Sequence, residues 1–282
     1  MKGDLGQSQP RVAVLLPVHA GADAGHLEAA LASMRAQTHS NLRLFVYCDG
    51  PLHQAHEQIL AKYLRCDDGQ DCLVRGIRPA GLPTGLNQLI EAALKDGDVT
   101  FLARMDADDI SMPERIARQT DFLIQRPEVS IVGTWCIEFV EPNVPLFYKR
   151  LPSEAVEVRR FMLFRNPLAH PTVMFRRAIF EQGNRYDPGL PLMQDYELWS
   201  RLIVAGETIS NVPEFLLWFR TAEGFFNRRH GVRRAWTEVK LRFEYARRAR
   251  LFKPAQLAGL FAIFLVRVLP GAVKRLAYLH RR

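Results

Sequence analysis

Hydrophobic positions along the first half of the chain fall into short apolar runs separated by amphipathic stretches. Arg11-Val12-Ala13-Val14-Leu15-Leu16, ended by Pro17, has the continuous apolar pattern of a buried strand. Leu27, Ala30, Leu31 and Met34 then recur at helical spacing. Leu42 to Tyr47 predicts a second strand, stopping at Cys48-Asp49-Gly50-Pro51, and a helix is expected over His53 to Leu64. A third strand is expected near Cys72 to Ile77, a helix through Leu86, Leu89, Ile90, Ala93 and Leu94, and a fourth strand over Val99 to Ala103. Ser111-Met112-Pro113-Glu114 has the form of a capping box with a first-turn proline, opening a helix to about Gln125. Val129 to Gly133 predicts a fifth strand.

Such alternation predicts an α/β fold with a mostly parallel sheet covered by helices on both faces. Ligands of these sheets bind beyond the carboxyl ends of the strands. Three polar segments follow predicted strands: Pro17-Val18-His19, Asp49-Gly50 and Asp106-Ala107-Asp108-Asp109. Alone, an Asp-Gly pair reads as a turn and an acidic triplet as a solvated loop. Gathered on one sheet edge, they form a candidate site. Three acids in four positions repel one another unless a cation offsets their charge. A hard divalent ion such as Mg²⁺ or Mn²⁺ would take carboxylate oxygens and substrate phosphates. The distant Asp195, in Met193-Gln194-Asp195-Tyr196-Glu197-Leu198-Trp199, is then a candidate for proton chemistry.

Composition changes this picture little. The 282 residues are 48% hydrophobic and 24% charged, as in a folded globular body. Cys48, Cys66, Cys72 and Cys136 have no metal-binding spacing and are expected as reduced thiols. Met1 to Pro10 is polar, which predicts no secretory signal and a cytoplasmic setting. Charge is more informative. The net of +8 arises entirely in residues 201–282, which carry 17 basic and 5 acidic side chains. Within them Trp236, Val239, Phe243 and Ala246 share one helical face amid Lys240, Arg242, Arg247, Arg248 and Arg250. Leu257 to Val266 is uniformly apolar but too short for the ~20 residues that span a bilayer. A basic amphipathic segment with an apolar patch predicts peripheral contact with an anionic membrane, at the inner face of the cell membrane. A helix packed on the body is the alternative. Nucleic acid is not expected, since no zinc module, RNA-binding signature or stacking platform is visible.

The string Ala103-Arg104-Met105-Asp106-Ala107-Asp108-Asp109-Ile110-Ser111, with Pro113, Arg115 and Gln119 after it, resembles the family 2 glycosyltransferases of bacterial surface-polysaccharide assembly. Val14 to Val18 resembles the family's first strand, Ser33 to Thr38 its first helix end, and Gly81-Leu82 through Asn87 its donor-site helix entry. His170 to Phe175 and Gln194 to Leu202 resemble its acceptor-side block, so the likeness runs in order from about Arg11 to Arg220. The resemblance implies a GT-A fold and inverting transfer from a nucleotide-diphosphate-sugar donor to a glycan or lipid-linked acceptor. It implies a donor half over 11–133 and an acceptor half over 134–225, while the tail's own pattern predicts a basic amphipathic helical region over 226–282.

Carried over by position, Pro17, Val18, Asp49, Asn87, Arg104 and Asp106 would serve the nucleotide-sugar. Asp108, with Asp106, would hold the metal, and Asp195 would be the general base. Asp109, His170, Gln194 and Trp199 would be supporting or acceptor-side residues. Some positions depart from the family. Cys48 and Pro51 replace a frequent Asp and Ser, and Gln194 replaces a frequent Glu, which leaves Asp195 easier to ionise. Ala222 stands where a histidine is common, with His230 as a substitute ligand. Two other readings fit strand-end aspartates: a nucleotidyltransferase making sugar nucleotides, and a non-catalytic sugar-nucleotide-binding module. The first should carry a Gly-rich phosphate loop, which Pro17 to Ala22 lacks.

Overall fold

In a computed structural model of the protein, the described residues are 9–221, 232–253, 258–262 and 264. The alternating first half folds as the pattern requires: β1 (Arg11–His19), α1 (Ala24–Arg35), β2 (Leu42–Asp49), α2 (Gln54–Tyr63), β3 (Cys72–Arg75), α3 (Leu82–Leu94) and β4 (Val99–Arg104). The chain continues through β5 (Ile110–Ser111), α4 (Arg115–Gln125), β6 (Val129–Phe139), β7 (Pro145–Lys149), α5 (Ala155–Phe161), a 3-10 turn (His170–Thr172) and β8 (Met174–Arg176). It closes with α6 (Ala178–Glu181), α7 (Gln194–Val204), β9 (Thr208–Arg220) and α8 (Val232–Arg248).

All nine strands join one sheet in the order β3-β2-β1-β4-β8-β6-β9-β5, with β7 paired to β6. The pairings β2–β3, β1–β2, β1–β4 and β6–β9 are parallel. The short strands β5, β7 and β8 run against the rest. Parallel character thus dominates, and β8 is an antiparallel insert between β4 and β6.

Why β1 is apolar throughout follows from its two faces. Ala13 and Leu15 enter one core with α3, α7 and Tyr245 of α8. Val12, Val14 and Leu16 enter the other with α1 and Ile116 and Leu123 of α4. A strand covered on both sides has no polar face to alternate with.

Local signals set most helix ends. Asp23 caps α1 by accepting the His26 N–H at 2.9 Å. Gly81, at φ 85°, turns the chain into α3, whose first turn holds Pro83. The capping box expected at Ser111 does not form. Glu114 is the N-cap of α4 and makes no side-chain cap bond, while Ser111 lies in β5. Its hydroxyl instead accepts from Arg115 Nε at 2.8 Å and Gln37 Nε2 at 3.1 Å. Tertiary partners outcompete the local cap.

The expected apolar face of α8 is divided: Trp236 and Phe243 are 64% and 39% exposed, whereas Ala246 joins a buried stripe of Ala235, Glu238, Arg242 and Tyr245. The stripe carries charge because its charges are paired: Arg242 Nη2 meets Glu238 Oε1 at 2.8 Å, and Arg242 Nη1 donates to the Met162 carbonyl at 3.2 Å. Leu260 is buried and Phe261 exposed; Leu257, Ile263, Leu265 and Val266 lie outside the described residues.

Candidate functional site

Beyond the carboxyl ends of β1, β2 and β4 lies a cleft of about 440 Å³, the size of a small-ligand site. Pro17, Val18 and His19 line it from β1, Tyr47 and Asp49 from β2, and Asp106 and Asp108 from the exit of β4. The three strand-end segments therefore meet as their topology demands. Asp49 accepts the Ala80 N–H at 2.6 Å and the Gly81 N–H at 3.1 Å, so one carboxylate both faces the cleft and secures the start of α3. Deeper in, the Tyr47 ring lies against Gly85: a Cβ there would sit 2.6 Å from Tyr47 Cδ1. Only glycine lets α3 approach β2 this closely.

Carboxylate oxygens of Asp106, Asp108 and Asp109 lie within 4.8 Å of one another. Asp108 is exposed, Asp106 partly buried and bonded to Arg104, and Asp109 buried. Asp109 Oδ1 accepts the Arg220 N–H at 2.8 Å, while its buried Oδ2 has no partner among the described residues. Burial, then Asp106 and Asp108, push the Asp109 carboxyl well above the usual range; desolvation and then Asp106 raise Asp108. An all-oxygen cluster with an orphaned buried oxygen and strained charge suits a hard divalent cation. Ala222 and His230 lie outside the described residues.

A buried guanidinium holds this strand exit. Arg115 Nη1 donates to the Arg104 carbonyl at 3.1 Å and the Pro171 carbonyl at 2.9 Å, tying the acid segment to the 3-10 turn. Burial lowers its pKa to about 10, which leaves it cationic at neutral pH. Gln119 repeats the device, donating from Nε2 to the Thr172 carbonyl at 2.7 Å and the Val132 carbonyl at 3.1 Å.

Asp195 is the second residue of α7, and Met193 before it adopts the left-handed φ of 68°. A non-glycine residue held there stores strain, as found at functional turns. Asp195 Oδ2 accepts from Asn166 Nδ2 at 2.5 Å and Oδ1 accepts the Tyr196 N–H at 2.8 Å. Asp195 does not line the cleft itself. Tyr186 is buried, and Arg104, Asp195 and Asp106 all act electrostatically on its hydroxyl. Burial, chiefly, raises the pKa of that hydroxyl.

The other candidates surround Tyr186. His170 Nε2 lies 2.9 Å from its hydroxyl, and desolvation drives the imidazole well below its ordinary pKa, keeping it neutral at pH 7. Trp199 is fully buried and stands edge-on to His170 at 5.9 Å. Asn87 clamps the Tyr186 backbone, donating to its carbonyl at 2.8 Å and accepting its N–H at 2.9 Å, so its amide organises the wall between α3 and α7. Arg104 is buried behind Asp106, and Gln194 is buried beside Asp195. Sequence reasoning passed over Asn166, Tyr186 and Arg220. Asn166-Pro167 was the one visible signal, an extended dipeptide just before His170.

Residues 14–183 match the sequence profile of Glycosyl transferase family 2. The amylovoran biosynthesis glycosyltransferase AmsE of Erwinia amylovora is 30% identical over 216 residues, 77% of this chain and 78% of that protein. The UDP-Gal:alpha-D-GlcNAc-diphosphoundecaprenol beta-1,3-galactosyltransferase of Escherichia coli is 23% identical over 274 residues, 95% of each chain. The fold is that of S. aureus TarS 1–349, solved in complex with UDP, at a TM-score of 0.63, 16% identity, 91% of this chain and 71% of that one. It is also that of the mannosyltransferase PcManGT from Pyrobaculum calidifontis, solved with GDP-Man and Mn2+, at 0.61, 17% identity, 97% and 81%. Matched across most of its length and built on the GT-A sheet, the chain is a glycosyltransferase belonging to family 2.

Proposed function

We propose that the protein transfers a sugar, with inversion, from a nucleotide-diphosphate-sugar to a hydroxyl of a glycan or lipid-linked acceptor in surface-polysaccharide assembly. The observation that carries this reading is the cluster of Asp106, Asp108 and Asp109 at the exit of β4, two of whose acids line the cleft beyond β1 and β2. In the donor cleft Asp49 is held to accept from a nucleobase, and Pro17 and Val18 line the wall beside it. Asp106, Asp108 and Asp109 are the residues that would hold a Mg²⁺ or Mn²⁺ ion, which when bound offsets the charge of a departing diphosphate. Asp195 takes the acceptor proton as its oxygen attacks. Direct attack with one base inverts the anomeric centre; Glu197, the next acid along, is engaged by Arg201 at 3.0 Å. TarS with UDP, PcManGT with GDP-Man and Mn2+, and the E. coli relative named for a diphosphoundecaprenol acceptor support the donor, metal and acceptor classes.

A thermal-shift screen of nucleotide-sugars with and without Mn²⁺ tests the reading. A donor at ~100 times its dissociation constant stabilises by roughly 2.7 kcal/mol. We expect a rise of several degrees in Tm that depends on the cation. A complete panel with no shift in either condition would sink it.

The acceptor is proposed to reach the site from a membrane. Among the described residues no helix is long and apolar enough to cross one. Instead Trp236, Phe243, Phe252 and Phe261 are 64%, 39%, 40% and 62% exposed, beside exposed Lys240, Arg247, Arg248 and Arg250. Aromatic side chains entering the headgroup region amid cations suit an anionic surface. The full chain is expected to sediment with phosphatidylglycerol vesicles at low salt. The combined W236S/F243S/F252S/F261S variant should bind several-fold less; equal binding would remove the membrane from the account.

A further inference from the structure

We propose that Asn166 is the positioning residue for Asp195, fixing the orientation of the carboxylate that receives the acceptor proton. This deepens the base assignment above and rests on it.

The contact is built from both sides. Pro167 confines Asn166 to extended backbone. Asn166 Oδ1 accepts the Leu168 N–H at 3.3 Å in an Asx turn, so Nδ2 is the end left to face Asp195 Oδ2 at 2.5 Å. An ionised carboxylate only accepts hydrogen bonds, so this amide orientation matches the anion and the Leu168 N–H together. The loop is anchored where the buried Asn211 donates to the Pro167 carbonyl at 3.0 Å, with Leu168 and Ala169 buried behind it. On the helix side, Tyr196 donates its hydroxyl to the Met162 carbonyl at 2.9 Å. Arg242 of α8 lies 4.9 Å over the Tyr196 ring and donates to the same carbonyl. The two ends of the Asn166–Asp195 bond are thus held by separate anchors, and the carboxylate plane has little freedom to turn. Each oxygen keeps a lone pair for an incoming hydroxyl.

Asn166 is the one described side chain bonded to the Asp195 carboxylate.

The decisive experiment is carboxyl NMR of the full-length protein labelled with ¹³Cγ-aspartate. The Asp195 resonance is identified by its loss in Asp195→Asn. In Asn166→Ala we expect that resonance to move and broaden as the carboxylate loses its fixed orientation. With the nucleotide-sugar giving the largest thermal shift, kcat should fall about 10- to 100-fold, the range for a hydrogen bond to a charge, at unchanged donor KM. The isosteric Asn166→Asp keeps the Leu168 contact and guards against a merely unfolded alanine variant. Its activity should recover toward acid pH, where the introduced carboxyl is protonated and donates as the amide did, and fall toward alkaline pH, where two anions oppose. A loop-only role would give no such reversal. An unchanged Asp195 resonance in Asn166→Ala, or unchanged kcat and pH profile in both folded variants, overturns the inference. Full turnover by Asp195→Asn would instead sink the base assignment, and the inference with it.

Discussion

Replacing Asp195 with asparagine is expected to cut turnover by roughly 10²–10⁴-fold while donor binding persists. The two side chains share a shape, and the variant amide can still accept from Asn166 Nδ2 where Oδ2 now does. What disappears is the capacity to take a proton. Because Asp195 stands outside the lining of the donor cleft, the thermal shift given by a nucleotide-sugar should be retained. Steady-state turnover and the shift, measured on one preparation, separate the two effects. Wild-type turnover in the variant would remove Asp195 from the chemistry; loss of both signals together would mean that the donor site depends on it.

The second large effect is expected at Asp108, the exposed member of the acid cluster. Asp108→Asn should abolish the Mn²⁺-dependent part of donor stabilisation and lower turnover by at least ~10²-fold, as losing several kcal/mol of charge stabilisation implies. Without metal or donor the same change should raise Tm at pH 7. Desolvation and then Asp106 raise the folded-state pKa of Asp108, so its ionised form is disfavoured by folding. A carboxyl with a raised folded pKa costs stability above that pKa; the cost fades as pH falls from there to the unfolded value and is gone below it. Asparagine removes the repulsion, so wild type and variant should converge in stability on acidification. A variant that is less stable than wild type at pH 7 and still responds to Mn²⁺ would contradict both expectations.

These effects hinge on positions that differ in how readable they are from sequence. Strands β1, β2 and β4 were legible because burial on both faces leaves an unbroken apolar run, and the acids after them were placed by topology alone. Strands β5 and β8 were not, being two and three residues long. Strand β9 contains Val212-Pro213-Glu214, where its pairing with β6 shifts register, so neither alternation nor a continuous run marks it. At Ser111 a valid local signature lost to Arg115, in the first turn of α4 itself, and to Gln37, which arrives from the end of α1. On α8 the apolar face was legible and is exposed at Trp236 and Phe243, but the buried Glu238–Arg242 pair was not, because it reads as surface in a linear pattern. Asn87 matched a donor-site segment, yet only coordinates reveal that its amide is engaged by Tyr186.

The antiparallel insertion of β8 has a mechanical consequence. By hydrogen-bonding to β4 at Phe101–Ala103 and to β6 at Ile131 and Val132, it joins the cleft-bearing strands to the β6–β9 half of the sheet. The strand that delivers the acidic triad is thus pinned in register from its far side, so the acids' placement draws on backbone pairing remote from the cleft as well as on their own surroundings.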